Sequence, residues 1–104
     1  MGKRHRRAHV ASYIILMMHL LKWQFQAERR SRSWLTSIDR ERLNIAERET
    51  ESTDLQKLAE AGLDHIFQQA LRRAAAETRL PLSTFPETCP YTANQLRDRD
   101  YLPE

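Results

Sequence analysis

From Val10 to Trp23 the chain reads Val-Ala-Ser-Tyr-Ile-Ile-Leu-Met-Met-His-Leu-Leu-Lys-Trp, and the polar residues in and around this stretch recur by sevens. His5, Ser12, His19 and Gln26 therefore form one narrow stripe of a helix, with Lys22 beside it. Nearly all the rest of that helix is apolar: Val10, Tyr13, Ile14, Ile15, Leu16, Met17, Met18, Leu20, Leu21 and Trp23. The pattern predicts a helix from Arg4 or Arg7 to Phe25 that needs cover on most sides. Two packed helices supply only part of it, so a further segment or a second subunit is expected to supply the rest. Ile14, Ile15, Met17 and Met18 are the candidate interaction face, and several of these four and Val10 are expected to be exposed in the monomer.

The remaining pattern is also helical. Two glycines in 104 residues and no sustained period of two argue against strands and for an all-α domain. At this length one modest core is the most that can be buried. Ser31 or Ser33 is the expected N-cap of a second helix from Trp34 to about Glu49. Its core face would be Trp34, Leu35, Ile38, Ile45 and Ala46, leaving Arg40, Glu41, Glu47 and Arg48 to water and Leu43 on the opposite side. Thr53 with Gln56 reads as a capping box for a third helix, whose core face runs from Leu55 to Ala74. Gly62 interrupts that helix at a cost of roughly 1 kcal/mol relative to alanine, for which a close helix crossing is the first explanation and a kink the second. Pro81 ends the helix at or before Leu80. A proline-punctuated tail over residues 80–104 carries the anchors Leu82, Phe85, Cys89, Tyr91, Leu96, Tyr101 and Leu102. In it Thr92 and Gln95 form another capping box, which starts a short fourth helix from Ala93 to about Arg99. The expected architecture is a small bundle of three main helices wrapped by this tail.

Charge is unevenly placed. Residues 1–42 hold ten Lys/Arg against three Asp/Glu, and residues 43–104 hold seven against eleven, within a net charge of +3. Such asymmetry suits nucleic acid, an anionic membrane or an acidic partner, but it is explained more simply by two halves that face each other. Cys89 is the only cysteine, which rules out an internal disulfide and suits a reducing compartment. His5, His9, His19, His65 and Cys89 lack metal-ligand spacing apart from His5 and His9, which lie in a cationic segment. No metal and no cofactor are expected. The apolar run is shorter than the roughly 20 residues that span a bilayer, is interrupted by Ser12 and His19, and has no small-residue cleavage site after it. Arg6 occupies the place where a myristoylation signal has Ser or Thr. The expected location is the cytoplasm, with no membrane contact.

No catalytic constellation stands out. His19 has no orienting carboxylate in sequence reach, Asp39 and Glu41 point to different sides of a helix, and Cys89 precedes proline without a local His. The turn Arg29, Arg30, Arg32, with Lys22, Trp23 and Trp34 nearby, has the residue types to hold phosphates and stack a base. The alternative is that the tryptophans are core and the arginines cap neighbouring groups, with carboxylates such as Glu47, Glu60 or Asp64 as the intramolecular partners.

The strings His19-Leu-Leu-Lys-Trp-Gln, Glu28-Arg-Arg-Ser-Arg-Ser-Trp34 and Leu80-Pro-Leu-Ser-Thr-Phe-Pro-Glu-Thr-Cys-Pro-Tyr-Thr92, followed by Gln95-Leu96, resemble those of the bacterial domain-of-unknown-function family numbered 29. The resemblance covers essentially the whole chain, and it implies an all-α fold and no known activity. It further implies that a helical, acidic segment precedes the Met1-Gly2-Lys3-Arg4 sequence in other members, so this chain is expected to lack part of its domain. The sequence thus favours a non-catalytic helical domain that works through protein contacts, with an unknown protein or another copy on the first helix as partner. The second reading is nucleic-acid or anion binding through Lys22, Arg29, Arg30 and Arg32, and an enzyme comes third.

Overall fold

The computed structural model describes residues 3–104. Helix α1 spans Lys3–Phe25 and is followed by a single 3-10 turn, Ala27–Arg29. Helix α2 covers Arg32–Glu51, α3 covers Thr53–Ala61 and α4 covers Leu63–Thr78. After a second 3-10 turn at Leu82–Thr84 comes the short α5, Ala93–Arg97. The described residues contain no strand, so the all-α expectation holds.

The helix boundaries follow from local hydrogen bonding. Ser31 caps α2, its Oγ accepting from the Trp34 backbone N–H at 3.3 Å, and Ser33 lies inside the helix. Ser52 caps α3 in the same way through Leu55 N–H at 3.2 Å. The expected Thr53 and Gln56 box is therefore not formed: the cap lies one residue earlier, at Ser52 with its extended backbone, and the residue three positions on is Leu55, which has no side-chain acceptor to reciprocate. Thr92 and Gln95 do form a reciprocal box, with bonds of 3.1 and 3.0 Å.

The third expected helix is two helices. Gly62 sits between them at φ −99° and ψ 9°, ending one ladder with a bond to the Leu58 carbonyl and starting the next by accepting from Ile66 N–H. A Cβ at Gly62 would meet only Leu58 O at 3.3 Å and Ile66 Cδ1 at 3.7 Å, both neighbours along the same stretch of chain. No crossing helix requires the glycine; it stands at the break, which its low helix propensity favours. The far end of α4 closes at Arg79, whose φ of 60° turns the chain out of the helix ahead of Pro81.

Helix α1 is the centre of the bundle. It runs antiparallel to α2, with His9 beside Glu49 at one end and Lys22 beside Trp34 at the other. It runs parallel to α4, since Lys22 meets Glu77 and Gln26 meets Thr78 near the C-terminal ends of both helices. Tyr13, Leu16, Met17, Leu20 and Leu21 have no exposed surface. Facing them are Ile38 and Ile45 from α2, Ala59 from α3, and Ile66, Phe67, Ala70, Leu71 and Ala74 from α4. Burial of each large side chain contributes roughly 1.5–3 kcal/mol.

The expectation of an uncovered α1 is corrected. Ile14, Met17 and Met18 are buried, and Val10 and Ile15 are half-buried against the core. Part of the missing cover comes from the tail, which inserts Phe85, Tyr91 and Leu96 into the same core. Phe85 meets Phe25 edge-on with ring centroids 5.5 Å apart, and the Tyr91 hydroxyl donates to Gln24 Oε1 at 3.1 Å. The rest comes from the apolar residues of α2, α3 and α4 in the same core, while Glu49 and Arg48 of α2 pack on His9 and Ser12 of α1. Leu82 and Leu102, expected as anchors, are instead exposed.

Candidate functional site

The flank of α2 that faces inward carries Ile38, Glu41, Arg42, Ile45 and Glu49, at steps of three and four. Glu41 and Arg42 are buried, and Arg48 donates to Ser12 Oγ at 2.9 Å. Sequence reasoning left Glu41 and Arg48 to water and placed Leu35 and Ala46 in the core, yet both of the latter are exposed. Ile38 and Ile45 are buried as expected, and hydrophobicity misplaced only the edges of the face, because the inner surface of α2 is half polar.

Two arginines organise this polar layer. The Arg42 guanidinium donates to the carbonyls of Leu96, Tyr101 and Gln95 at 2.9, 2.9 and 3.0 Å. It thereby satisfies carbonyls at and beyond the end of α5 that have no helical partner. Burial pulls its pKa down from the usual arginine value. Arg97, on α5, reaches the other way. Its Nε donates to Glu49 Oε1 at 2.8 Å, its Nη1 to Glu60 Oε2 at 2.7 Å and its Nη2 to the Gln56 carbonyl at 3.3 Å.

Glu49 is the node of the layer. The Tyr13 hydroxyl donates to its Oε2 at 2.6 Å, and His9 Nε2 lies 2.9 Å from the same oxygen. Burial alone would raise the Glu49 carboxyl, but hydrogen bonds from His9, Tyr13 and Arg97 outweigh it and hold the group below the usual carboxylate range. Burial, and then the adjacent Glu49 carboxylate, push the Tyr13 hydroxyl far above the usual tyrosine value. His9 stacks edge-on to Tyr13 at 5.2 Å, and its Nδ1 has no hydrogen-bond partner among the described residues.

A histidine, a carboxylate and a tyrosine within bonding distance are the materials of acid–base chemistry. Here a substrate has no access to the histidine, which has no exposed surface. The adjoining cleft of about 280 Å³ is lined by Arg42, Ile45, Ala46, Glu49, Thr50, Gln56 and Arg97, but both arginines and the carboxylate are already engaged with one another or with the tail. The layer holds α1, α2, α3 and α5 together. The other acid–base candidates do not converge: His19 Nδ1 bonds the Ile15 carbonyl of its own helix at 2.9 Å, Asp39 faces outward and Glu41 inward. Burial lowers the pKa of His19 from its usual 6.5. Cys89 donates to the Tyr91 carbonyl at 3.3 Å, and burial raises its pKa, which suits a packing thiol. Among the described residues, no three His, Cys, Asp or Glu side chains are grouped to hold a metal ion, and no helix is long and apolar enough to cross a membrane.

Of the four cations proposed for the arginine-rich turn, Arg29, Arg30 and Arg32 are exposed and Lys22 is not. Lys22 is buried, with Nζ 2.8 Å from Glu77 Oε1 and 4.8 Å from the centre of the Trp34 ring. Arg30 lies over Trp23 at 4.7 Å and donates to the Trp23 carbonyl at 2.7 Å. These two cations are anchored within the fold, by a tryptophan each and by Glu77 or a carbonyl, rather than by Glu47, Glu60 or Asp64. Arg29 and Arg32 are exposed.

Of the four interaction-face candidates, Met17 and Met18 are core, and Ile15 is half-buried. Ile14 alone lines a surface hollow, which Arg6, Arg7, Val10 and Ala11 of α1 form with Leu58 of α3 and Gln69 of α4. Its volume is about 370 Å³. The floor is aliphatic and two guanidinium-bearing side chains stand at the N-terminal end of α1.

Comparison with curated proteins finds no match, and neither does comparison with solved structures. The model of the family described as Domain of unknown function DUF29 matches residues 1–102, and the chain belongs to that family.

Proposed function

We propose that this chain is a non-catalytic helical domain that works by docking protein partners on its surface, in the reducing environment of the bacterial cytoplasm. The observation that carries this reading is the hollow between α1, α3 and α4. It combines an aliphatic floor of Val10, Ala11, Ile14 and Leu58 with the exposed Arg6 and Arg7, the combination of apolar centre and polar rim found at protein interfaces. A second support is the engagement of Glu49, Arg42 and Arg97 in holding the fold together, which leaves them no free donor or acceptor set for a substrate. The lone Cys89 fits a compartment without disulfides.

The nucleic-acid reading has less support. Of Lys22, Arg29, Arg30 and Arg32, only Arg29 and Arg32 are exposed without an anchoring partner among the described residues.

The test is photo-crosslinking in the producing cell, with a benzoylphenylalanine in place of Ala11 in the hollow or of Arg72 on the outer side of α4. A discrete adduct from position 11, weak or absent from position 72, is the expected result. If position 11 yields no adduct, the docking function is overturned.

A further inference from the structure

The outward flank of α2 is the complement of the α1 hollow. At 100° per residue, Leu35, Asp39, Leu43, Ala46 and Glu47 fall within one arc of about a third of the helix, with the exposed Arg32, Thr36 and Thr50 towards the helix's two ends. Leu35 and Leu43 are 38 and 48% exposed, and Asp39, Ala46 and Glu47 are exposed as well. Two carboxylates thus stand one turn before and one turn after Leu43, the more exposed of the two leucines. Neither is in an ion pair among the described residues.

The hollow repeats that spacing with the opposite charge. Arg6, Val10 and Ile14 follow at steps of four, with Arg7 and Ala11 as a parallel row. Rows at steps of four on two helices interdigitate in the commonest mode of helix packing. An aliphatic ridge flanked by acids faces, in a second molecule, an aliphatic groove with a basic end.

We propose that the α2 ridge of one copy of this chain docks in the α1–α3–α4 groove of the next, Leu43 against Val10, Ala11 and Leu58, with an acidic neighbour of Leu43 paired to Arg6 and Arg7. Ridge and groove are different surfaces of one molecule, so the contact is heterologous. A bound pair keeps one free ridge and one free groove between its two members, and the assembly is a head-to-tail chain or a ring. This proposal rests on the docking function above and names a second copy as the partner.

The test is sedimentation velocity of the purified chain from micromolar to millimolar concentration. The wild type is expected to show a rising weight-average coefficient that falls back when salt is raised, since the paired charges are solvent-accessible. Leu43→Glu, which destroys the ridge, and the double variant Arg6→Glu with Arg7→Glu, which reverses the groove's charge, are each expected to stay monomeric. All these positions are exposed, and circular dichroism verifies that the variants are folded. An equimolar mixture of the two still contains one intact groove and one intact ridge, so it is expected to form a dimer that grows no further.

Wild-type protein that remains monomeric at millimolar concentration overturns the proposal. So does association that either folded variant retains, or a mixture that stays monomeric although the wild type associates. If the wild type is monomeric but position 11 crosslinks a different protein in the cell, self-association is wrong and the docking function stands. If position 11 captures nothing, both are wrong.

Discussion

Replacement of Arg42 by methionine probes how the tail is held. The stem keeps its packing and the guanidinium is lost, together with its bonds to the carbonyls of Leu96, Tyr101 and Gln95. A hydrogen bond to a charged group contributes about 1.5–3 kcal/mol, but the three are not additive, and carbonyls that reopen to water recover part of the loss, so the expected cost is about 3–4 kcal/mol. A domain of this size has roughly 5–15 kcal/mol in total, so the variant loses a large share of its stability. The melting temperature should fall by roughly 15 °C. Arg42→Lys keeps the charge but offers a compact donor in place of a planar fork that spans three acceptors, and about 2 kcal/mol should still be lost. Urea denaturation followed by circular dichroism gives the energies, and trypsin sensitivity at Arg97 and Arg99 shows whether the tail is released first. A methionine variant with the wild-type midpoint, or a lysine variant as stable as the wild type, would refute the reasoning.

Two further perturbations address the core and the polar layer. The carboxyl of Glu49 is held below its ordinary value of 4.5 in the folded chain, so the unfolded chain takes up the proton first as pH falls. Its stabilisation is complete above about pH 4.5 and is lost below it. Glu49→Gln should therefore be less stable at neutral pH and show a shallower loss of stability in acid than the wild type, as read from urea midpoints across that range; equal acid slopes would contradict it. Phe85→Ala removes a buried ring that meets Phe25 and should cost on the order of 3 kcal/mol, with Tyr91→Ala similar. An unchanged denaturation midpoint for both would mean that the tail does not contribute to the core.

The helices were legible because their signals are local. The three- and four-residue steps of Leu55 to Ala74, the cap at Ser31 and the box at Thr92 each act within one or two turns, and each is present. Gly62 was legible as an anomaly, while its outcome, a break rather than a crossing, depended on what surrounds it. The partnership of Arg42 with the tail was not legible, since residues more than 50 positions apart meet there, and nothing in the spacing of either segment encodes the other. The same holds for Glu49, which receives donors from α1 and α5 at once. The cover on α1 was misjudged for a related reason: only two packed helices were counted against its apolar surface, whereas α2, α3, α4 and the distant Phe85, Tyr91 and Leu96 of the tail share its core. Ile14, singled out for a bare face, is buried and lines the edge of a hollow instead.

The most direct test of the account is where a second molecule touches this one. Isotope-labelled Leu43→Glu protein, with its groove intact, is titrated with unlabelled protein carrying Arg6→Glu and Arg7→Glu, with its ridge intact, and amide shifts are followed by NMR. Perturbations concentrated at Arg7, Val10, Ala11, Ile14, Leu58 and Gln69 are predicted, and the reciprocal labelling should move Leu35, Asp39, Leu43 and Glu47. No perturbation at saturating partner, or shifts centred on the Arg29 to Arg32 turn, would contradict it.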